Sequence, residues 1–380
     1  MSEVYSWSSQ MMDDYMWDDL LRNVSEYPCD NDSCVDTPDD WSEGICDLKE
    51  GMKFDAVFIP ILYYVAFIVG ILGNGVLLGV LFHSRKTWSV TDTFILHLGV
   101  ADILLLVTLP FWATQYGQDK GWTFGTPFCK IVGSVFVINF YCGIFLLACI
   151  SLDRYLSIVH ATQMYSRRKP WVVQASCFLV WFFSLLLSVP DWIFYEAVLD
   201  SRRKRTECIR NYFILSEMAV FVWRKASRLL YHIVGFLLPS AVLIFCYSCI
   251  LERLRCGTQG LQKQKAFRVI LTVVVAFFLC WTPYNITLMV DTLHSGNSTL
   301  TCGKRSSLEK AKIVTFTLGC LHCCLNPILY AFVGVKFRRQ LMDILRSLGC
   351  NLKTSVKFPS TVRRTSIWSE SADTSHSTAI

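Results

Sequence analysis

The sequence predicts an all-α membrane protein: a seven-transmembrane helical bundle with a short amphipathic eighth helix. Three observations carry this. Hydrophobic residues make up 53% of the 380 and charged residues 17%, where about 25% charged is usual for a soluble chain. The charge is also segregated. Residues 1–50 hold 14 Asp and Glu against Arg22 and Lys49, a net of −12, and the remainder holds 34 Lys and Arg against 16 acids, a net of +18. Finally, seven apolar stretches each reach the roughly 20 residues needed to cross about 30 Å of hydrocarbon. A compact water-soluble enzyme is excluded by this pattern, and the stretches are too long for β-barrel strands.

Residues 1–53 are expected to form an acidic extracellular tail, 54–335 the bundle, 336–350 the amphipathic helix and 351–380 a cytoplasmic tail rich in Ser and Thr. The spans are placed at Ala56–Phe82, Thr93–Thr114, Ile131–Leu152, Trp171–Pro190, Leu229–Leu251, Val269–Val290 and Ile313–Val335. Only the second contains a charged residue, Asp102. After the last, Phe337, Leu341, Ile344 and Leu348 recur at helical spacing among basic residues. That pattern suits a helix lying on an anionic lipid leaflet, with Cys350 as a palmitoylation site.

The amino-terminal stretch lacks the apolar core of a secretory signal. Basic residues are spread over both sets of loops, so the positive-inside rule says little. Sequons and cysteines say more. Those at Asn23 and Asn31 precede the first span and that at Asn297 follows the sixth, so all three lie on one face as glycosylation sites, while a fourth at Asn285 sits inside the sixth span and is expected to be bare. Cys29, Cys34, Cys46, Cys129, Cys208 and Cys302 fall on the same face, six of 17 cysteines. An even number suits an oxidising exterior, with 15 ways to pair them. The chain is therefore read as a multi-pass plasma-membrane protein with its amino end outside. Phosphate-loop, nucleophile-elbow and His-x-x-x-His patterns are absent, which argues against an enzyme and gives no reason for a nucleic-acid partner.

An ionisable residue in hydrocarbon marks function, because burying it costs several kcal/mol. Asp102, with Asn74, Asn139 and Asn326 in other spans, supplies oxygens for either a sodium ion (Asp102 and Asn139 as ligands) or an ion-free hydrogen-bond network. Pro110, Pro190, Pro239, Pro283 and Pro327 each remove a backbone bond from a different span. A bundle so weakened can bend between two packings, which suits a switch. At the inner end of the third span, Arg154 can snorkel, pair with Asp153 or swing toward a partner.

The ordered motifs are Gly73-Asn74, Leu98-Gly-Val-Ala-Asp102, Cys129, Asp153-Arg154-Tyr155, Trp181, Pro239 with Tyr247, Cys280-Trp281-Thr-Pro283 and Asn326-Pro327-Ile-Leu-Tyr330. Over residues 55–350 they resemble the rhodopsin-like G-protein-coupled receptors. Thr108-Leu-Pro110-Phe-Trp112-Ala, Trp122-x-Phe-Gly and Asp153-Arg-Tyr-Leu-Ser-Ile-Val-His160-Ala look like chemokine receptors, of the CXC branch.

The resemblance implies disulfides Cys129–Cys208 and Cys46–Cys302. It implies a trigger of Ile144, Pro239 and Phe277 beneath Trp281, with Tyr247 and Tyr330 meeting Arg154 when the sixth span swings outward. Asp153, Arg154 and Tyr155 would couple to an inhibitory-class G protein, leading to calcium mobilisation and chemotaxis. Trp112, Phe136, Tyr284 and Phe316 would surround the ligand cavity, with Asp191 and Asp291 anchoring a cationic ligand end. Tyr15 and Tyr27, near clustered acids, would meet a basic CXC chemokine, Tyr15 being the better sulfation site. Phosphorylation between Ser360 and Ser375 would recruit arrestin. Gly143, His322 and Cys323 stand where many relatives supply oxygen or amide ligands, which weakens the sodium expectation, and Lys263 replaces a Glu that locks Arg154 in some relatives. The competing readings are an atypical chemokine-scavenging receptor and a receptor for another peptide.

Overall fold

The computed structural model describes residues 49–83, 85, 88–160, 170–200, 204–212, 217–256, 261–294, 302–333 and 335–347. Among them, seven helical segments are long and apolar enough to cross a membrane. The first is α1 (Lys49–His83). The second is broken into α2 (Val90–Leu106) and α3 (Leu109–Gly117). The third and fourth are α4 (Gly125–Ile158) and α5 (Pro170–Phe194). A hairpin follows, β1 (Tyr195–Asp200) with β2 (Arg205–Arg210). The fifth segment joins α6 (Glu217–His232), a π-helical turn at Ile233–Leu237 and α7 (Leu238–Cys256). The last two are α8 (Leu261–His294) and α9 (Cys302–Val333), and α10 (Val335–Ser347) comes after them.

Local chemistry sets these ends and breaks. Ser89 caps α2: its hydroxyl accepts from the Asp92 amide (3.2 Å) while the Asp92 carboxylate accepts from the Ser89 amide (2.8 Å), satisfying two orphan donors at once. Pro110 has no amide hydrogen to continue the helix, and the second segment breaks just before it, at Val107 and Thr108. At the break the Leu105 carbonyl accepts from the Thr108 hydroxyl at 2.6 Å and from the Thr108 amide at 2.9 Å. Lys130 closes the end of α5 by donating to the carbonyls of Trp192 (3.1 Å) and Ile193 (3.0 Å). In the π-helical turn the Leu238 amide reaches back five residues to the Ile233 carbonyl. That is one residue more than an α-helix spans, and it marks an inserted bulge.

α4 is the central post, packing against α2, α5, α7, α8 and both strands of the hairpin. α1 presents Val57, Ile61, Tyr64, Ile68, Leu72 and Val76 outward, and α5 does so with Phe178, Phe182 and Leu186. An apolar belt of this kind is untenable in water and is the face a bilayer covers. α10 turns its Phe337, Leu341 and Ile344 toward the bundle and packs on α9 and α1.

The sequence reading anticipated helices alone. The antiparallel hairpin, with Ala197 opposite Cys208, is additional. It forms because Tyr195–Asp200 and Arg205–Arg210 lie outside the apolar spans and pair their backbones with each other.

Candidate functional site

The site runs down the bundle axis from the hairpin end. Cys208 of β2 is disulfide-bonded to Cys129 near the start of α4, their Cα atoms 5.5 Å apart. The Cys208 amide also donates to Gln115 Oε1 of α3 at 2.8 Å. A third tie joins the loop after α3: the Trp122 amide donates to the Thr206 carbonyl at 2.7 Å and the Thr206 amide to the Lys120 carbonyl at 3.2 Å. Gly121, at φ +68°, permits this approach; a Cβ there would stand 2.2 Å from the Thr206 oxygen.

Beneath the hairpin opens a cavity of about 340 Å³, its walls including Trp112, Tyr195, Arg210, Tyr284 and Phe316. Its floor is aromatic. Phe316 stacks on the fully buried Phe136 with centroids 4.1 Å apart, and Phe136 meets Trp281 at 5.5 Å. Trp281 leads down to Phe140 (4.7 Å) and Phe277 (6.0 Å). A Cβ on Gly319 would come within 3.1 Å of its indole, so α9 packs closely on the ring only because position 319 has no side chain.

Below Phe277 lies a polar cluster. Asp102 is fully buried; its Oδ1 accepts from Asn139 Nδ2 at 3.1 Å and its Oδ2 from Asn326 Nδ2 at 2.6 Å. Asn74 Nδ2 donates to the Cys323 carbonyl at 2.9 Å. That carbonyl lies four residues before Pro327, so it is the one the proline leaves without an amide partner. A Cβ on Gly73 would meet the Pro327 ring at 2.8 Å, which is how closely α1 and α9 approach.

At the far end Arg154, only 7% exposed, donates to the Asp153 carboxylate at 2.9 Å and to the Thr91 hydroxyl of α2. Tyr155 pairs its hydroxyl with His160 at 2.9 Å. Tyr247 packs on Phe267 at 5.6 Å, while Ile144, Pro239 and Tyr330 are buried between these levels.

The description "7 transmembrane receptor (rhodopsin family)" matches residues 73–330. The chain is 45% identical over 350 residues to C-X-C chemokine receptor type 3 of Homo sapiens, covering 92% of this chain and 91% of that one. It is 44% identical to the Bos taurus type 3 receptor, covering 94% and 93%, and 39% identical to C-X-C chemokine receptor type 2 of Oryctolagus cuniculus, covering 89% and 91%. This chain belongs to the chemokine receptors of the rhodopsin-like family. It is therefore a multi-pass receptor of the plasma membrane and not an enzyme, its amino end extracellular as is standard in the family.

In this receptor the expected site residues do not all fall where sequence reasoning put them. Trp112, Tyr284 and Phe316 line the cavity. Phe136 does not: Phe316 covers it, so it belongs to the floor below. Asp191 and Asp291 do not stand ready for a ligand cation. Asp191 is taken by Arg210, and Asp291 by Arg228 and by Lys312 at 3.2 Å. Burial alone would lower the pKa of Arg210, but Asp191 beside it more than reverses this and holds the guanidinium charged, its pKa well above the usual value.

Sodium was the other expectation at Asp102. Both of its carboxylate oxygens already accept amides, and its further neighbours are the imidazole of His322 and the thiol of Cys323. Nitrogen and sulfur do not suit a hard cation that seeks oxygen. Both His322 nitrogens and the Asn74 and Asn326 amide oxygens lack a protein partner, so the polar atoms near Asp102 mix oxygen, nitrogen and sulfur, a poorer set for sodium than oxygens alone.

Tyr15, Tyr27, Asn23, Asn31, Asn297, Cys46, Cys350 and the side chains of Cys302 and Lys263 lie outside the described residues. Sequence reasoning missed Thr91, Gln115 and Arg228. Arg228 carried a signal: with Arg224 it puts two guanidiniums one turn apart, just before an apolar span.

Proposed function

We propose that this receptor binds a CXC chemokine at the hairpin end and activates an inhibitory-class G protein at the Arg154 end, leading to calcium mobilisation and chemotaxis. The observation that supports this reading is the column of ring contacts that leads from the cavity down to His322 beside Asp102. It runs from the open cavity through Phe316, Phe136, Trp281 and Phe277 to the Asp102 cluster, and Arg154 stands at the inner end of α4. A ligand pressing on Phe316 acts on the floor directly, and a preference of a few kcal/mol for one packing shifts the population strongly. The same reading assigns sulfate to Tyr15 and Tyr27, glycans to Asn23, Asn31 and Asn297, a palmitoyl anchor to Cys350, and arrestin recruitment to the phosphorylated Ser and Thr of the last 30 residues. The intact Asp153–Arg154 pair favours signalling over scavenging.

Calcium and cyclic-AMP responses of cells exposed to individual CXC chemokines test this. At least one ligand should respond, and Arg154→Ala should abolish that response while surface expression persists. A panel that binds but leaves both messengers unchanged points to the scavenging role; no binding at all points to another peptide.

A further inference from the structure

The polar atoms around Asp102 are a poor set for sodium and a good one for a softer ion. The Asp102 carboxylate, a ring nitrogen of His322 and the Cys323 thiol lie within 4.8 Å of one another, and all three side chains are buried. Asp102 comes from α2, whereas His322 and Cys323 are neighbours on α9. His322 is the telling member. It is 1% exposed, and neither of its ring nitrogens has a hydrogen-bond partner. Leaving a buried polar group in that state costs about 1–3 kcal/mol. A neutral imidazole so placed also keeps a nitrogen lone pair that a metal ion can take.

The bonds already made leave room for coordination. Each Asp102 oxygen accepts one amide, from Asn139 or from Asn326. An ionised carboxylate has about four lone-pair sites, so both amides can stay while a metal binds. The Cys323 thiol donates to Asn139 Oδ1 over 3.9 Å, a long contact even for sulfur. Nitrogen, sulfur and oxygen ligands with a fourth position open suit zinc. The charges also balance. A carboxylate and a thiolate cancel the double charge of the ion and the imidazole is neutral, so the filled site carries no net charge. That matters inside a membrane span, where an uncompensated ion is costly.

We propose that Asp102, His322 and Cys323 form a zinc site that clamps α2 to α9. On binding, Cys323 loses its thiol proton to solvent. The ion then bonds to an Asp102 oxygen, a His322 nitrogen and the Cys323 sulfur, with water in the remaining position. Phe277 of α8 packs edge-on against the His322 ring, centroids 5.1 Å apart, so fixing that ring also steadies the level beneath Trp281. Zinc thereby stabilises this packing against any in which α9 moves away from α2. The clamp requires no ligand in the cavity.

Purified full-length receptor, incubated with cobalt(II) as the spectroscopic substitute for zinc and then freed of loose metal, tests this. Cobalt should be retained in equimolar amount, with a thiolate-to-cobalt charge-transfer band in the near ultraviolet and the visible bands of a four-coordinate ion, and zinc should displace it. Cys323→Ser should abolish the charge-transfer band, and His322→Asn should weaken retention on the order of tenfold or more. Zinc should also raise the melting temperature of the parent receptor and leave both variants unmoved, whereas magnesium, which prefers oxygen ligands, should raise none of them. Should the variants fail to fold, zinc K-edge absorption of the parent receptor decides without any substitution: a single sulfur beside nitrogen and oxygen neighbours is expected. No retained metal, a retained ion with no sulfur ligand or with sulfur alone, or a charge-transfer band that both substitutions leave intact overturns the proposal.

Discussion

Two of the groups that hold Arg154 differ in kind. The Asp153 carboxylate is its sequence neighbour, and the Thr91 hydroxyl belongs to a helix 63 residues earlier. A hydrogen bond to a charged group contributes about 1.5–3 kcal/mol, and Thr91 offers it only while Arg154 lies folded toward α2. Thr91→Ala should therefore raise basal nucleotide exchange on the G protein several-fold, whereas Thr91→Ser, which keeps the hydroxyl, should leave it near the parent level. Membrane GTPγS binding without ligand reads both. The Asp153-Arg154-Tyr155 run was legible in the sequence because its chemistry is local. Thr91 was not, since nothing in Val90-Thr91-Asp92 announces a partner on another helix. The same divide explains Asp191 and Asp291. Their charge and their place near the mouth could be read, but the cations that occupy them come from β2, α6 and α9, and only packing brings those together.

Helix boundaries and close approaches belong to the next scale. The bulged turn at Ile233–Leu237 brings Gly235 against α4, where a Cβ would lie 2.6 Å from Phe140 and 2.7 Å from Tyr141. Those rings cannot retreat freely, because Phe140 also stacks on Tyr231 at 4.2 Å. Overpacking of this kind costs about 1–3 kcal/mol, so Gly235→Ala should lower the melting temperature of the purified receptor by roughly 3–10 °C. Thiol-reactive dye fluorescence during heating measures it. The seven spans were legible because twenty apolar residues in a row have few other uses. The bulge was not, because one inserted residue leaves hydropathy unchanged. Proline positions gave partial information: Pro110 pointed to the weak place in the second span, yet the break falls at Val107 and Thr108 because Pro110 then sits inside the first turn of a new helix, where its missing N–H is harmless.

For the whole molecule the dominant feature is charge separation between the acidic first 50 residues and the cationic remainder. If the ligand is a basic protein, the acidic end sets how often the two meet, and salt screens that attraction. Replacing Asp13, Asp14, Asp18 and Asp19 with Asn should slow association on the order of tenfold at low ionic strength and flatten its salt dependence, with dissociation little changed. Surface plasmon resonance across a salt series separates the two rates. The cavity opens under the hairpin. Its upper edge is pinned at three places, to Cys129, to Gln115 and to the Trp122 loop. Among the described residues a rim riveted to the bundle in this way behaves as a door frame: the hairpin side of the aperture keeps its spacing to α3 and α4, so that side asks for no unlatching step before capture.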